Sequence, residues 1–482
     1  STLYGRWRNQ SRADSLFQDR QKEPFPNENL LQRIWRHQRI QRDSLVTTTG
    51  DVLRILHPGF WNHGPGPDFE QAVIQIGENP PVTGDIEIDL HPRNWRGHGH
   101  HVNEAFDSVI LHVVWTDESP PQHNIPMLAL ESCLDTPLDS LYQAVDTLGG
   151  PNALHYLQGR CNEPLRDLSE DQLKELLHQA AQARLENKAS RFEARARATG
   201  WEQSLWEGVF EALGYKQNTW PMRRIAELLP DLFGDDECLD SPLVYQATLL
   251  GISGLLPSQL DSGNSSRNNY VRAIWDLWWR RRSRLAHLTL PVSLWCLSGV
   301  RPANHPHSRL ALASHWLAAG NLVENLESWF INPKPGATQH ASLYEILSSI
   351  RDEFWQRHHT LGSRPLPRIK PLIGAERTTD LATNVILPWF WARASAGHST
   401  ALRRLAETRF FAWPKAQDNA TLRLARERLF GRERIRCLSG AADQQAILQI
   451  VKDFCSLSNA LCEACHFPTL VHQFRTEPNQ EE

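Results

Sequence analysis

Several features that would narrow the role of this 482-residue chain early are absent or scarce. No stretch approaches the ~18 to 20 consecutive apolar residues of a membrane span, so no membrane partner is expected. The first residues, STLYGRWRNQSRADSLF, have no apolar core after a basic start and do not read as a signal peptide. Charge of one sign is not in excess. With 51 basic and 55 acidic residues the net charge is -4, so any surface that attracts nucleic acid must be local. Cysteine is sparse, at 8, which argues against a disulfide framework; the expected thiols are reduced or metal-bound, and the expected compartment is the cytoplasm. Methionine is nearly absent, at 2, and tryptophan is abundant, at 18, but no chemistry follows from either count.

The length allows on the order of two to four domains and a large core. Residues 1–20 read as a polar lead-in. From Asn27 the pattern turns helical, with Glu28 in the first turn and Leu30, Leu31, Ile34 and Trp35 at helical spacing. A hairpin is expected over Ser44 to Leu56, turning at Thr49-Gly50-Asp51, then strands over Phe69 to Ile76 and Gly84 to His91. Ser108 to Trp115, SVILHVVW, has the near-continuous apolarity of a strand buried on both faces, and residues 92–107 before it suit one short helix or a loop. Residues 21–135 are therefore expected as a small α/β domain. Beyond residue 160 the composition becomes helical, from Leu168 to Ala198 and in segments such as 202–213, 242–251, 270–287, 308–319, 341–357 and 441–454, without a fixed repeat. Asp261 to Asn269 and Asn332 to Gln339 read as links.

The most informative stretch runs from Gly64 to His91. Its second half alternates, so Ile86, Ile88 and Leu90 share one face while Asp85, Glu87, Asp89 and His91 share the other. Three carboxylates in a row repel unless solvent, a proton or a cation relieves them, which makes the row either a wet polar face or a divalent-metal site. Histidine gathers nearby, at His57, His63, His91, His98, His100, His101 and His112. Imidazole suits transition metals better than Mg²⁺. His112, inside the apolar strand, reads as a hydrogen-bonded core residue, whereas His98, His100 and His101 lie among glycines, where one of them could be a ligand or a phosphate contact.

Residues Leu30 to Trp35, the run HPGFWNHGPGPDF, GDIEIDLHPRNWRGHGH, VILHVVW, LGYKQN at 213–218, RPANHP at 301–306 and the terminal CEACHFP together resemble the bacterial uncharacterised domain family 2851. At the level of pattern the N-terminal third resembles the PD-(D/E)XK nuclease fold, a restriction-endonuclease-like mixed sheet. The resemblance implies one or two Mg²⁺ or Mn²⁺ ions bound by two acids, and hydrolysis of phosphodiesters in DNA or RNA by an activated water. Carried over, Pro67-Asp68 matches the Pro-Asp, Glu87 the second acid and Glu28 the helix acid. The lysine two residues after the second acid is replaced by Asp89, with His91 and Arg93 the nearest cation-capable side chains. Either one of those serves in its place, or cleavage is lost and only binding remains.

The C-terminus holds Cys437, Cys455, Cys462 and Cys465, with Cys462-Glu-Ala-Cys465 a CxxC. Two ligands from one tight turn and two from elsewhere would make a tetrahedral zinc site; the alternative is packed thiols beside a surface CxxC. The nuclease resemblance adds an iron–sulfur cluster as another occupant, although in those relatives the first cysteine lies upstream of the nuclease core; Cys133 or Cys161 could be recruited. Trp275 to Arg284 interleaves indoles with Arg280, Arg281, Arg282 and Arg284, and Arg301 follows. Such residues grip phosphates and stack bases, or else form a helix whose tryptophans are core and whose arginines reach outward. The expectation is a metal-dependent phosphodiesterase, contacting nucleic acid through Arg93, His98, His100, Arg280, Arg281 and Arg301. The rivals are a nuclease-derived interaction protein without activity and a different His/carboxylate metalloenzyme.

Overall fold

The computed structural model describes residues 2–8, 26, 28–36, 38–62, 66–117, 123–135, 138, 159–215, 217–234, 241–257, 266–297, 300–332, 338–431, 438–455 and 465–476. The chain forms two compact units, one of residues 1–187, 418–439 and 443–482, the other of 188–417 and 440–442. An N-terminal mixed sheet precedes a mainly helical region. Among the described residues no helix is long and apolar enough to cross a membrane.

In the first unit, helix α2 (Glu28–Arg36) packs on a sheet in the order β1 (Leu53–His57), β3 (Phe69–Ile76), β4 (Val82–Asp89), β5 (Val109–Val114) and β6 (Met127–Ala129), with β2 (Phe60–Trp61) also pairing β3. The β1, β3 and β4 pairs are antiparallel; β4, β5 and β6 run parallel. Leu30, Leu31, Ile34 and Trp35 of α2 are buried with Ile86, Ile88, Leu111, Val113 and Leu128, which is what the helical spacing and the strand alternation call for. Gly84 is required where β4 meets β5, because a Cβ there would lie 2.7 Å from the Ser108 carbonyl oxygen and would overlap Ile110.

One irregularity in β3 shapes the site. Phe69 pairs with Ile86, but the next pair is Ala72 with Gly84, so β3 carries one more residue than β4 across this interval. Gln71 takes up the extra length with φ at +55°. Its N–H donates to Asp85 Oδ1 at 2.9 Å, and its backbone also hydrogen-bonds buried His57. Ser108 Oγ donates to the other Asp85 oxygen at 2.5 Å. Asp85 thus holds the bulge and β5 rather than joining the other acids of its strand.

Three expectations need refinement. The hairpin expected over 44–56 is present but short, after a 3₁₀ turn at Arg42–Ser44: an antiparallel bridge joins Val46 and Val52, the Thr47 N–H donates to Asp51 O and the Leu53 N–H to Leu45 O, and the rest of β1 pairs with β3. The lead-in is not wholly polar: residues 3–8 form a helix, α1, with Tyr4 and Trp7 buried on one face against Phe454 and Phe474. The Tyr4 hydroxyl donates to buried Asp453 at 3.0 Å. Residues up to 187 and most of 418–482 group with the sheet. The helix expected over 341–357 stops at Ser348, and Asp352 beyond it accepts from the N–H groups of Phe354 and Trp355. The links expected at 261–269 and 332–339 lie largely outside the described residues.

Candidate functional site

Parts of the first unit that are far apart in sequence bring their polar side chains to one place. The first turn of α2 supplies Glu28, the residue before β3 supplies Asp68, and β4 supplies Glu87 and Asp89. Past β4 the chain makes a short helix, α3 (Asn94–Gly97), and two 3₁₀ turns, His100–Val102 and Glu104–Phe106. Gly99, with φ at +78°, reverses the chain between His98 and His100, so that both rings return toward the carboxylates. Trp95 packs against His100, His112 and His123, with Phe106 beside it, forming an aromatic support for the imidazoles.

Asp68 and Glu87 are cross-strand neighbours. The Asp68 N–H donates to Glu87 Oε2 at 3.1 Å, the Ile88 N–H donates to Asp68 Oδ2 at 3.1 Å, and Gln32 Nε2 donates to Asp68 Oδ1 at 2.7 Å. Asp89, fully buried, lies with Oδ2 3.0 Å from His112 Nε2, and His112 Nδ1 is 2.9 Å from His123 Nε2. His98 Nδ1 lies 3.1 Å from Asp89 Oδ1, and His100 Nε2 lies 3.1 Å from Glu87 Oε1. Neither of these last two contacts is a hydrogen bond: Asp89 Oδ1 and His100 Nε2 are buried without a hydrogen-bond partner. Atoms that are close yet misaligned for bonding each other are arranged as ligands around a common centre are. One atom each from Asp89, His98 and His100 falls within 4.8 Å of the others, which makes these three a candidate cation site.

Among the described residues none of Glu28, Asp68, Glu87 and Asp89 pairs with a lysine or arginine. The electrostatic consequence is strain on ionisation. Burial, reinforced by Glu28, raises Asp68 to about 7; burial, reinforced by Asp68 and Asp89, raises Glu87 to about 9. Glu28 is raised as well, by burial and then by Asp89. The imidazoles shift the other way. Burial lowers His100, and burial with the nearby His112 lowers His123 to about 4, so both favour the neutral form that metals require.

Of the residues named from sequence, Glu28, Asp68, Glu87, Asp89, His98 and His100 come together. His91 lies two residues beyond β4, where its carbonyl accepts from the Asn94 N–H, and Arg93 is exposed at the start of α3. His112 is the buried, hydrogen-bonded residue expected, but the partner it bonds is a site carboxylate. Sequence reading missed Gln32, Trp95 and His123. A signal existed for His112 alone, since a parallel β5 sets it opposite Glu87.

At the C-terminus Cys437 and Cys462 lie outside the described residues. Cys455 ends a π-helical turn, Cys465 Sγ is 3.9 Å from the Phe454 carbonyl oxygen, and neither is in a disulfide. Cys133 is in the sheet core, its thiol donating to Ala129 O at 3.2 Å. In the second unit, the helix Ser266–Leu285 divides its tryptophans: Trp278 is buried against Gly251, while Trp275 and Trp279 stack at 4.8 Å with Trp279 53% exposed and Arg282 over its ring. Arg280 is exposed, Arg281 donates to Leu232 O, and Arg301 is exposed on a separate turn.

No curated protein and no solved structure matches this chain. A family model does match, over residues 28–411, a span that takes in α2, the whole sheet, the carboxylate–histidine cluster and most of the helical second unit. On that match the chain belongs to the family described as protein of unknown function (DUF2851).

Proposed function

We propose that this protein is a metal-dependent phosphodiesterase of the PD-(D/E)XK type, acting on DNA or RNA. The observation that carries the reading is the cross-strand pair of Asp68 and Glu87, set after an acid-bearing helix and before a crossover to a parallel strand. Helix acid, strand-mouth acid and mid-strand acid occur in the order that the nuclease resemblance implies, on a sheet of three antiparallel strands continued by two parallel ones. Mg²⁺ or Mn²⁺ fits the oxygen donors of Asp68, Glu87 and Asp89, and the nearby imidazoles of His98 and His100 favour Mn²⁺. A bound divalent ion supplies charge stabilisation to the attacking and leaving oxygens of a phosphodiester. The chain's own groups orient it: Gln32 and the Ile88 N–H hold the Asp68 carboxylate, and His112, held in turn by His123, fixes Asp89.

The missing lysine is covered differently in this reading. His98, half exposed beside Asp89, is placed to meet a substrate phosphate and to give or take a proton. The test is cleavage of single- and double-stranded DNA and RNA by purified protein with Mn²⁺. Asp68→Ala and Glu87→Ala should abolish it with folding intact, and His98→Ala should lower turnover and weaken Mn²⁺ binding. Absence of cleavage together with absence of salt-sensitive nucleic-acid binding would sink the proposal. A second reading, a histidine-based metalloenzyme acting on another substrate, is favoured by the Asp89–His98–His100 set; tight transition-metal binding without nuclease activity would select it. Zinc or an iron–sulfur cluster at the C-terminal cysteines stands as a separate proposal, decided by metal analysis of the purified chain.

A further inference from the structure

The LGYKQN and RPANHP motifs belong to the second unit and have no part in the acidic centre. Both lead to Arg309. This arginine, on the helix Pro306–Ala319, is 4% exposed and has no carboxylate partner among the described residues. Its Nη1 donates to Leu372 O at 2.8 Å, and its Nη2 makes two long bonds of 3.3 Å, to the Tyr215 hydroxyl and to Asn304 Oδ1. Nε has no partner at all. A buried guanidinium left without an anion is costly, so the local structure is expected to provide one or to recruit one.

A second guanidinium and two imidazoles lie in the surroundings. Arg377 lies with its guanidinium carbon 3.5 Å from the centre of the Tyr215 ring, and Arg309 is 5.7 Å from the same ring. Arg377 Nε is also buried without a partner, although its Nη1 pairs with Asp380 at 3.1 Å. Burial, then the like charges of Lys370 and Arg309, lower His359, and burial, then His359, lowers His305. The helix Pro306–Ala319 begins here, with His305 before it and no side chain capping it, and partial positive charge gathers at such an end. Tyr215 itself is held at φ +55°, a costly conformation for a tyrosine.

We propose that Arg309, Arg377, Tyr215, His305 and the start of the helix at Pro306 form a binding site for a phosphate group. Two guanidiniums, a hydroxyl, an imidazole and helix N–H groups offer donors in several directions, which suits a tetrahedral oxyanion better than a planar carboxylate. The site stands on residues of the second unit alone and does not depend on the acidic centre being a nuclease.

Calorimetry on the full chain in EDTA tests it, with inorganic phosphate as the first probe and a short oligonucleotide with or without a 5′-phosphate as the second. Saturable phosphate binding is expected with Kd near or below about 1 mM. Arg309→Gln should weaken it about tenfold to a hundredfold. If Arg309→Gln fails to fold, Arg377→Gln and His305→Asn carry the test, each weakening binding, while Glu87→Gln leaves it unchanged. Tighter binding of the phosphorylated oligonucleotide than of its unphosphorylated twin assigns the site to a chain terminus; equal binding of the two, with phosphate still bound, assigns it to free phosphate. No saturable binding of either phosphate probe, or binding indifferent to Arg377→Gln and His305→Asn, overturns the proposal.

Discussion

The Asp68 N–H donates to Glu87 Oε2 across the β3–β4 pair, so the backbone of one acid holds the carboxylate of the other. Two carboxyl groups are thereby kept together in a buried site that contains no lysine or arginine partner among the described residues. In the absence of metal the pair is expected to hold a proton at neutral pH, since both groups are raised, Glu87 to about 9.

From this follows a paired outcome for Glu87→Gln. Without metal the variant should unfold at a temperature equal to or above wild type, because the amide is neutral without the cost of keeping a proton on a buried carboxyl group. With Mn²⁺ present wild type should rise in melting temperature as concentration increases, and the variant should not. Thermal unfolding with and without millimolar Mn²⁺ reads both, and a variant that is still stabilised by the metal would remove Glu87 from the ligand set.

His112→Phe tests the support beneath Asp89. Loss of the 3.0 Å contact frees the carboxylate to turn, and partners of this kind are worth about 10- to 100-fold in metal affinity. Mn²⁺ titration should show that loss with the sheet intact by circular dichroism. Unchanged affinity would mean that Asp89 is fixed by its strand alone.

Two histidines outside the site set the acid side of the stability curve. His57 accepts the Gly59 N–H at Nδ1, and burial lowers it to about 4; His307, against the Leu255 carbonyl, is lowered to about 4 as well, by burial and then by His305. Between the unfolded value of 6.5 and about 4 the unfolded chain binds protons that the folded one refuses. Stability is therefore complete above 6.5 and falls as pH drops through that window, by at most about 3 kcal/mol per group. Urea unfolding at several pH values should show the slope in wild type and a flatter one in His57→Gln with His307→Gln. Identical slopes would clear these residues of the effect.

Gly84→Ala should cost about 1 to 3 kcal/mol, because the added methyl meets Ile110 and the Ser108 carbonyl where the parallel strands join. A midpoint in denaturant equal to wild type would show that β5 can yield.

Much of the α/β part was legible. Helical spacing from Leu30 to Trp35, period-two alternation in β4 and the apolar run of β5 each place side chains by a local rule, and Glu28, Asp68, Glu87 and Asp89 follow from those rules. What was hidden depends on distant partners. His123 reaches the site only through parallel pairing of β5 with β6, Gln32 only through the angle of α2 on the sheet, and Trp95 only through its contacts with several imidazoles. The burial of Tyr4 and Trp7 was equally unreadable, since their partners lie some 450 residues away, as the Tyr4 to Asp453 bond shows. Asp85 was grouped with the site acids by strict alternation, and its real engagement with Gln71 and Ser108 appears only once the bulge is known.

That bulge acts as a switch of parity. Phe69 is odd-numbered, yet it shares the sheet's core face with even-numbered Ala72 and Ile74, because the extra residue between them exchanges the two faces. Asp68 falls on the acidic side for that reason alone. Removing Gln71 would leave every acid and histidine of the cluster in the chain, yet a regular strand would then send Asp68 toward the apolar core beneath α2 or pull Phe69 out of it. The spacing between Asp68 and Glu87 is thus a counted quantity: a single-residue deletion there should silence the centre as thoroughly as loss of a ligand.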